Sequence, residues 1–354
     1  EAGPTTVPPP SPLASNLRTH CRSYDLPSSR ALITYLHATA GYPVKSTWIN
    51  AIKQGNYNTW PGLTPALAAR YCPDADETRR GHMAQQRQHV RSTKPRLHPD
   101  DTTIPPYPNA NTLELLAIPA TRLFTDDTGR FPIRARSGNQ YIMIGFHSAT
   151  NAIVACPFIS KADTHRIPAY QSIINTLRRA RQTLDVHVLD NEASEAYKRA
   201  ITANGYTFQL VPPHVHRRNA AERAIRTFKD HFLTILAGTD PTYPADQWDL
   251  LIPQTVITLN LLRQSHADPT QSAWAALHGP LNFDATPMAP LGCRTLTHVK
   301  PTVRRSWDYR CQDGYYVGPA LHHYRCYTIL NRHTWRTAIS DTVKLRHHSL
   351  TIPD

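Results

Sequence analysis

Three acids stand where metal-assisted phosphoryl chemistry would need them. Asp126 closes a short β-rich run, RLFTDD (122–127), Asp190 closes another, LDVHVLD (184–190), and Glu222 falls early in a helix-patterned stretch, RRNAAERAIRTFKDHF (217–232). Carboxylates gathered within a few ångströms cannot all stay ionised without a cation between them. Their hard oxygens suit Mg2+ or Mn2+, and two such ions about 3.5–4 Å apart can activate a hydroxyl or water and steady the leaving oxygen of a phosphodiester. The Glu222 helix is otherwise basic, with Arg217, Arg218, Arg223, Arg226 and Lys229, and Asp230 only near its end. Arg226 and Lys229, four and seven residues on, share the Glu222 face and can reach phosphates. Ile225, Phe228 and Phe232 make the adjoining apolar stripe. The pattern alone leaves a plainer alternative open, because strand-end Asp residues form turns and helix-start Glu residues answer the helix dipole. Asp127 also competes with Asp126 for the first place.

The elements that must position these acids are legible in the hydrophobic period. After RLFTDD come two β-rich runs, 140–147 and 152–160, joined by SATN as an antiparallel hairpin. KADTHRIPAYQSIINTLRRARQT (161–183) repeats apolar residues at helical spacing through Ile167, Tyr170, Ile174 and Leu177. The strand ending at Asp190 is followed by a helix with a Gly stop (191–205), the strand YTFQLV, the basic helix, and a further apolar helix within 244–265. The order β-β-β-α-β-α-β-α-α predicts a mixed sheet with flanking helices. Adjacent strand ends lie about 4.8 Å apart, so central strands can bring two aspartates together, and a helix packed over those ends can add the glutamate.

On either side the texture changes. Residues 1–27 begin Pro/Ser-rich and are expected to be a disordered leader. Residues 28–93 hold three short helix patterns, at SSRALITYLHATAG, PVKSTWINAIKQGN and TPALAARYC, which suit a helix-turn-helix-like domain with Trp48 and Trp60 in its core. Six prolines in 94–120 make 94–118 a linker. Residues 119–272 hold the mixed sheet. Residues 273–354 carry four strand candidates (CRTLTHVK, GYYVGPA, YRCYTIL and WRTAISDTVKL) and predict a small β-barrel or curled sheet. There Tyr315, Tyr316, Tyr324 and Tyr327 read as cross-strand packing. Arg304, Arg305 and Arg310 interleave with Trp307 and Tyr309 as nucleic-acid surfaces do, the alternative being aromatic core and a solvated basic face.

Composition narrows the partner. The 354-residue chain carries a net charge of +13 with a pI of about 9.6. Lys and Arg outnumber acids 12 to 6 over residues 1–100, 16 to 10 over 121–240 and 10 to 5 over 273–354. A single basic tail is therefore excluded, and a polyanion such as nucleic acid is favoured over generic solubility charge. Six cysteines form no CxxC pair, which suits reduced thiols of an intracellular protein. No apolar run reaches the ~18–20 residues that cross a bilayer. The first residue is Glu1, not Met, so a piece of a longer polyprotein is expected.

The acid-bearing segments resemble integrases of LTR retrotransposons and retroviruses. TDDTGRFPIRARSGNQYIMI is similar to the first-acid segment, with Asp126, Gly129 and Phe131 in place; VLDNEAS is similar to the second, at Asp190; VPPHVHRRNAAERAIRTFKDH is similar to the third, at Glu222. The stretches YLHATAGYPVKSTWINAIKQGNYNTWPGLT and DETRRGHMAQQRQHVRST resemble the region before the core in certain retrotransposon polyproteins, and PLGCRTLTHVKPTVRRSWDYRCQDGYYVGPALHHYRCY resembles the segment after a Copia-type or related core. The resemblance implies an RNase H-like core with Asp126, Asp190 and Glu222 holding Mg2+ or Mn2+. It implies DNA 3′-end processing or strand transfer, and Arg217, Arg218, Arg226, Lys229, Arg304 and Arg305 as DNA contacts. The implied partners are element-end DNA, target chromosomal DNA and further copies of the chain, in a virus-like particle and then the nucleus. Two features depart from the pattern. Only 31 residues (222 − 190 − 1) separate the last two acids, fewer than in retroviral cores. The family's zinc motif also lacks its ligand pairs, since His37, Cys72 and His82 are isolated, and zinc is not expected. A decayed DNA-binding remnant and an RNase H-type nuclease are the rival readings.

Overall fold

The computed structural model describes residues 26–84, 121–189, 193–210 and 220–353. The expected linker 94–118 and nearly all of the leader lie outside them. So do Asp190, Arg217 and Arg218.

The first strand, β1 (Arg122–Asp127), pairs antiparallel with β2 (Tyr141–His147), and β2 pairs antiparallel with β3 (Ala152–Phe158). On its other side β1 pairs parallel with β4 (Val186–Leu189), and β4 pairs parallel with β5 (Thr207–Leu210). The sheet order is β3-β2-β1-β4-β5. An antiparallel meander followed by two parallel strands added at its first strand is the RNase H-like arrangement. Parallel neighbours need crossover connections, and here these are the helices α5 (Asp163–Arg179) and α6 (Glu195–Ala203).

Strand periodicity divides the sheet into two buried faces. On one, Leu123 and Met143 pack with Tyr170, Ile173, Tyr197 and Ile201 from α5 and α6. Gly145 allows this approach: a Cβ there would come within 2.8 Å of the Ile173 side chain. On the other face, Ile142, Ile144 and Ile153 pack with Ala224, Phe228 and Phe232 from α7 (Ala220–Ala237). The alternation of Ile142 and Ile144 against Met143 and Gly145 explains why β2 is apolar throughout: it is covered on both sides.

Among the described residues the N-terminal unit has four helices, one more than the sequence periodicity predicts: α1 (Ser29–Thr39), α2 (Lys45–Lys53), α3 (Pro65–Tyr71) and α4 (Asp76–His82). Ser28 and Thr64 cap α1 and α3 by accepting from Ala31 N and Leu67 N. Helix α4 buries none of its side chains fully, so it has no apolar stripe to betray it. It is held by close approach, since a Cβ on Gly81 would lie 2.4 Å from the Asp230 carbonyl oxygen of α7. Trp48 and Trp60 are buried as expected, in a cluster shared with Ile257, Trp274 and Phe283. Those partners come from α8 (Ile252–Leu261), α9 (Ala273–His278) and the segment after it.

The C-terminal strands form a five-stranded antiparallel sheet, β10-β6-β7-β8-β9, from β6 (Arg294–His298), β7 (Cys311–Pro319), β8 (Tyr327–Asn331), β9 (Thr337–Ser340) and β10 (Val343–Arg346). The single strand expected in WRTAISDTVKL is two, broken at Asp341–Thr342, and β10 returns to pair with β6. Tyr315, Tyr316 and Tyr327 are buried in the same cluster as Phe228 and Trp248. Tyr324 differs from the expectation: it lies between β7 and β8 and is exposed.

Candidate active site

The two neighbouring aspartates of β1 are separated by the strand's own period. Leu123, Thr125 and Asp127 lie on the α5 face; Phe124 and Asp126 lie on the α7 face. Just ahead of the pair, Thr125 Oγ1 is 2.7 Å from His187 Nε2 and 3.2 Å from the Tyr197 hydroxyl, which ties β1 to β4 and α6. The His187 ring stacks on Tyr170 at 5.2 Å. Burial pushes the His187 pKa down to about 3, so the ring is neutral and structural.

Asp127 is used up on this face. Its carboxylate is almost wholly buried and meets the Arg166 guanidinium of α5 at 3.0 Å, and Arg166 in turn lies over the Tyr197 ring at 4.9 Å. Burial raises the Asp127 pKa, and nearby Arg166 and Lys161 oppose the shift. The competitor for the first acid position is thus a buried structural ion pair.

Asp126 emerges on the opposite side, half-buried, at the end of β1. Its Oδ1 accepts a 2.7 Å hydrogen bond from the Asp127 backbone N–H. In register it faces Ile144, a member of the cluster under α7. Helix α7 packs across β1 and β2, and Glu222 sits in its first turn. Ala221, Ala224 and Phe228 are buried, whereas Glu222, Arg226 and Lys229 are exposed along one line of the helix. The structure therefore brings Asp126 and Glu222 to the same side of the sheet. For β4, register pairs Phe124 with Val188; Asp126 and residue 190 each stand two positions further along their chains. Asp190 itself is outside the described residues, as are Arg217 and Arg218. Among the described residues no group of three or more His, Cys, Asp or Glu is placed to hold a metal ion.

The remaining sequence candidates are dispersed. His37 Nε2 donates to the Pro43 carbonyl at 2.8 Å beneath Trp48, and burial lowers its pKa to about 4. Cys72 is buried at the end of α3, and His82 ends α4. Arg304 and Arg305 precede an almost completely exposed Trp307 and Tyr309 on the β6–β7 connection. These two aromatics are solvent-facing, so the barrel-core alternative for them is excluded. Sequence reasoning missed Arg263, which follows α8 and lies over the Phe146 ring at 5.7 Å on the α7 face. Its only sequence signal is a basic residue ending an apolar helix.

No family model matches the chain, and no curated protein matches its sequence. Among solved structures, it is similar to a chain of the simian T-cell lymphotropic virus intasome in complex with PP2A regulatory subunit B56 gamma, at 13% identity over 86% of this chain and 98% of that one, with a TM-score of 0.39. It is also similar to the catalytic core domain of BIV integrase, at 13% identity over 44% of this chain and 92% of that one, TM-score 0.33. The HTLV-2 integrase catalytic core domain in complex with magnesium, in its dimeric form, matches at 17% identity over 46% of this chain and 99% of that one, TM-score 0.34. The strand order and directions, not these scores, carry the fold.

Proposed function

We propose that the chain is an integrase of the LTR-retrotransposon type, a polynucleotidyl transferase that joins element DNA ends to target chromosomal DNA. The observation that carries this reading is the split between the two aspartates: Asp127 is consumed in a buried ion pair, while Asp126 is delivered to the α7 face where Glu222 stands. Both are hard carboxylate donors and fit Mg2+ or Mn2+, with Asp190, the residue after β4, as the third proposed ligand. Such ions, when bound, supply the charge that offsets the phosphate and activates the attacking hydroxyl.

The chain's own contribution is placement. Asp126 is oriented by the Asp127 backbone N–H. Arg226 and Lys229 stand one and two helical turns beyond Glu222 and hold flanking phosphates, with Arg217 and Arg218 proposed to do so just ahead of α7. Arg304, Arg305, Trp307 and Tyr309 offer cations and stacking surfaces for DNA on the C-terminal connection. The attacking group is a DNA 3′ hydroxyl, or water in end trimming, so no protein nucleophile is assigned. Residues 28–93, 119–272 and 273–354 would act as three parts of one DNA-holding molecule. It works as a homo-oligomer bridging two element ends, first in a virus-like particle and then in the nucleus.

The test is strand transfer by the full chain with oligonucleotides in Mg2+. Joining by the parent and its loss in Glu222→Gln is expected. Equal joining by the two proteins would sink the assignment, and a parent that binds DNA but neither joins it nor binds Mn2+ would be a decayed remnant.

A further inference from the structure

Beside Glu222's helix, on the same face of the sheet as Asp126, lies a second feature that this function does not yet use. A cleft of about 210 Å3 opens between the first turns of α7, the β2–β3 turn and the end of α8. Arg223, Arg263 and His266 line it with Phe146 and Asn151, and no carboxylate does. It adjoins a larger cleft of about 590 Å3 reaching α2, with Asn151, Thr227 and Arg263 common to both. Asp230 lies in that larger part, and an anion is favoured only at the Arg223 end.

Arg263 is the unusual member. It is part-buried, and none of the ion pairs among the described residues includes it. Its Nε donates to the Asn151 carbonyl at 2.8 Å and its Nη2 to Asn151 Oδ1. A guanidinium has five N–H donors in a rigid fork, so donors remain for an oxygen in the cleft. Burial lowers its pKa to about 10, which leaves it charged at neutral pH. A charge partly withdrawn from water normally has a counter-charge, and here the cleft itself is the place for one. Arg223 is exposed on α7. His266 Nδ1 donates to the Ser148 carbonyl at 2.9 Å, which leaves Nε2 for a ligand.

The position is specific. Phe146, under Arg263, pairs in register with Phe124, and the two rings are 6.0 Å apart. Asp126 is the next residue of β1 on that face, roughly 6.6 Å along the strand at ~3.3 Å per residue. One nucleic-acid strand can therefore pass both places.

We propose that Arg263, Arg223 and His266 form a phosphodiester-binding subsite that holds the DNA backbone beside the Asp126 and Glu222 carboxylates. Arg263 grips non-bridging phosphate oxygens with the free side of its fork, and Arg223 closes the cleft from α7. The subsite rests on the nucleic-acid reading above, but its test does not depend on chemistry. Binding of a short DNA duplex is measured in EDTA from 50 to 200 mM salt for the full chain, Arg223→Ala and Arg263→Lys. Each lost phosphate contact lowers the slope of log affinity against log salt by about 0.9. Arg223→Ala is expected to show that drop with an unchanged melting temperature. Arg263→Lys, which keeps the charge and loses the fork, is expected to bind on the order of threefold to tenfold more weakly at low salt. Should Arg263 serve only to brace the β2–β3 turn, Arg263→Lys would lower the melting temperature and both variants would keep the parental slope and affinity, which overturns the subsite. Absence of strand transfer by the parent would instead count against the integrase reading alone.

Discussion

Asp127 faces α5, closed in by Arg166 and Tyr197, with neutral His187 further back on the neighbouring strand, in register with Leu123. Asp126 faces α7, where the nearest described helix presents Glu222, Arg226 and Lys229 to solvent. One strand thus offers the same side chain to two environments, a dry one that fixes the fold and a wet, charged one that can hold ions and polyanion. A single-residue slip of β1 would exchange them. The exchange is blocked because Leu123 and Thr125 would have to leave the α5 face along with Asp127.

Breaking each side separately tests the contrast. Asp126→Asn removes one proposed ligand charge and is expected to lower strand transfer in Mg2+ by about 10^3-fold, the equivalent of several kcal/mol of transition-state charge stabilisation. Its urea midpoint should stay near the parental value, because the carboxylate is half-exposed at the end of β1. A large loss of stability in this variant would show that Asp126, too, is structural.

Asp127→Ala should do the reverse. It leaves Arg166 buried without its counter-charge, a loss of about 3 kcal/mol in urea unfolding. Replacing both members with apolar residues should recover most of it, since burial already works against the Asp127 charge. If Asp127→Ala unfolds at the parental urea concentration while losing all joining, the roles of the two aspartates are the other way round.

Acid should act through the buried histidines, among them His187 on the α5 face. His187 has a folded pKa of about 3 against 6.5 when free. Below pH 6.5 the unfolded chain binds a proton that the native one refuses, so stability is present above 6.5 and is lost as pH falls toward 3. The loss is about 1.4 kcal/mol per pH unit for one such histidine. Buried His231, at about 3, and His37, at about 4, act in the same direction, and Asp127, with its raised pKa, in the opposite one. His187→Gln should flatten the pH dependence of the melting temperature by one proton's worth, and an unchanged dependence would mean that water reaches the ring.

How much of this was readable beforehand depends on which interactions are local. The sheet's element order followed from apolar period and turn residues, because those act over a few neighbours. The choice between Asp126 and Asp127 rested on the resemblance and not on the pattern: alternation says only that they differ, and the Asp127–Arg166 pair is formed by packing against α5. Helix α4 escaped because it packs through Gly81 and not through an apolar stripe. The fifth C-terminal strand escaped because Asp341–Thr342 breaks a run that is β-prone throughout. Arg263 is brought to the cleft by contacts with residues more than a hundred positions away, for which a single sequence has no signal.

The smallest expected effect sharpens the contrast most finely, since it compares like with like. Arg226 is exposed on α7 and Arg199 is exposed on α6, on opposite sides of the same sheet. Either can be truncated without disturbing the core, and either removal changes the net charge by one. If binding were a response to net charge alone, Arg226→Ala and Arg199→Ala would weaken duplex affinity equally. If DNA lies on the α7 side, only Arg226→Ala should lower the salt slope by about 0.9, while Arg199→Ala leaves it at the parental value. The reverse pattern would place the nucleic acid on the α5 face, away from Asp126 and Glu222, and would deprive those carboxylates of a substrate.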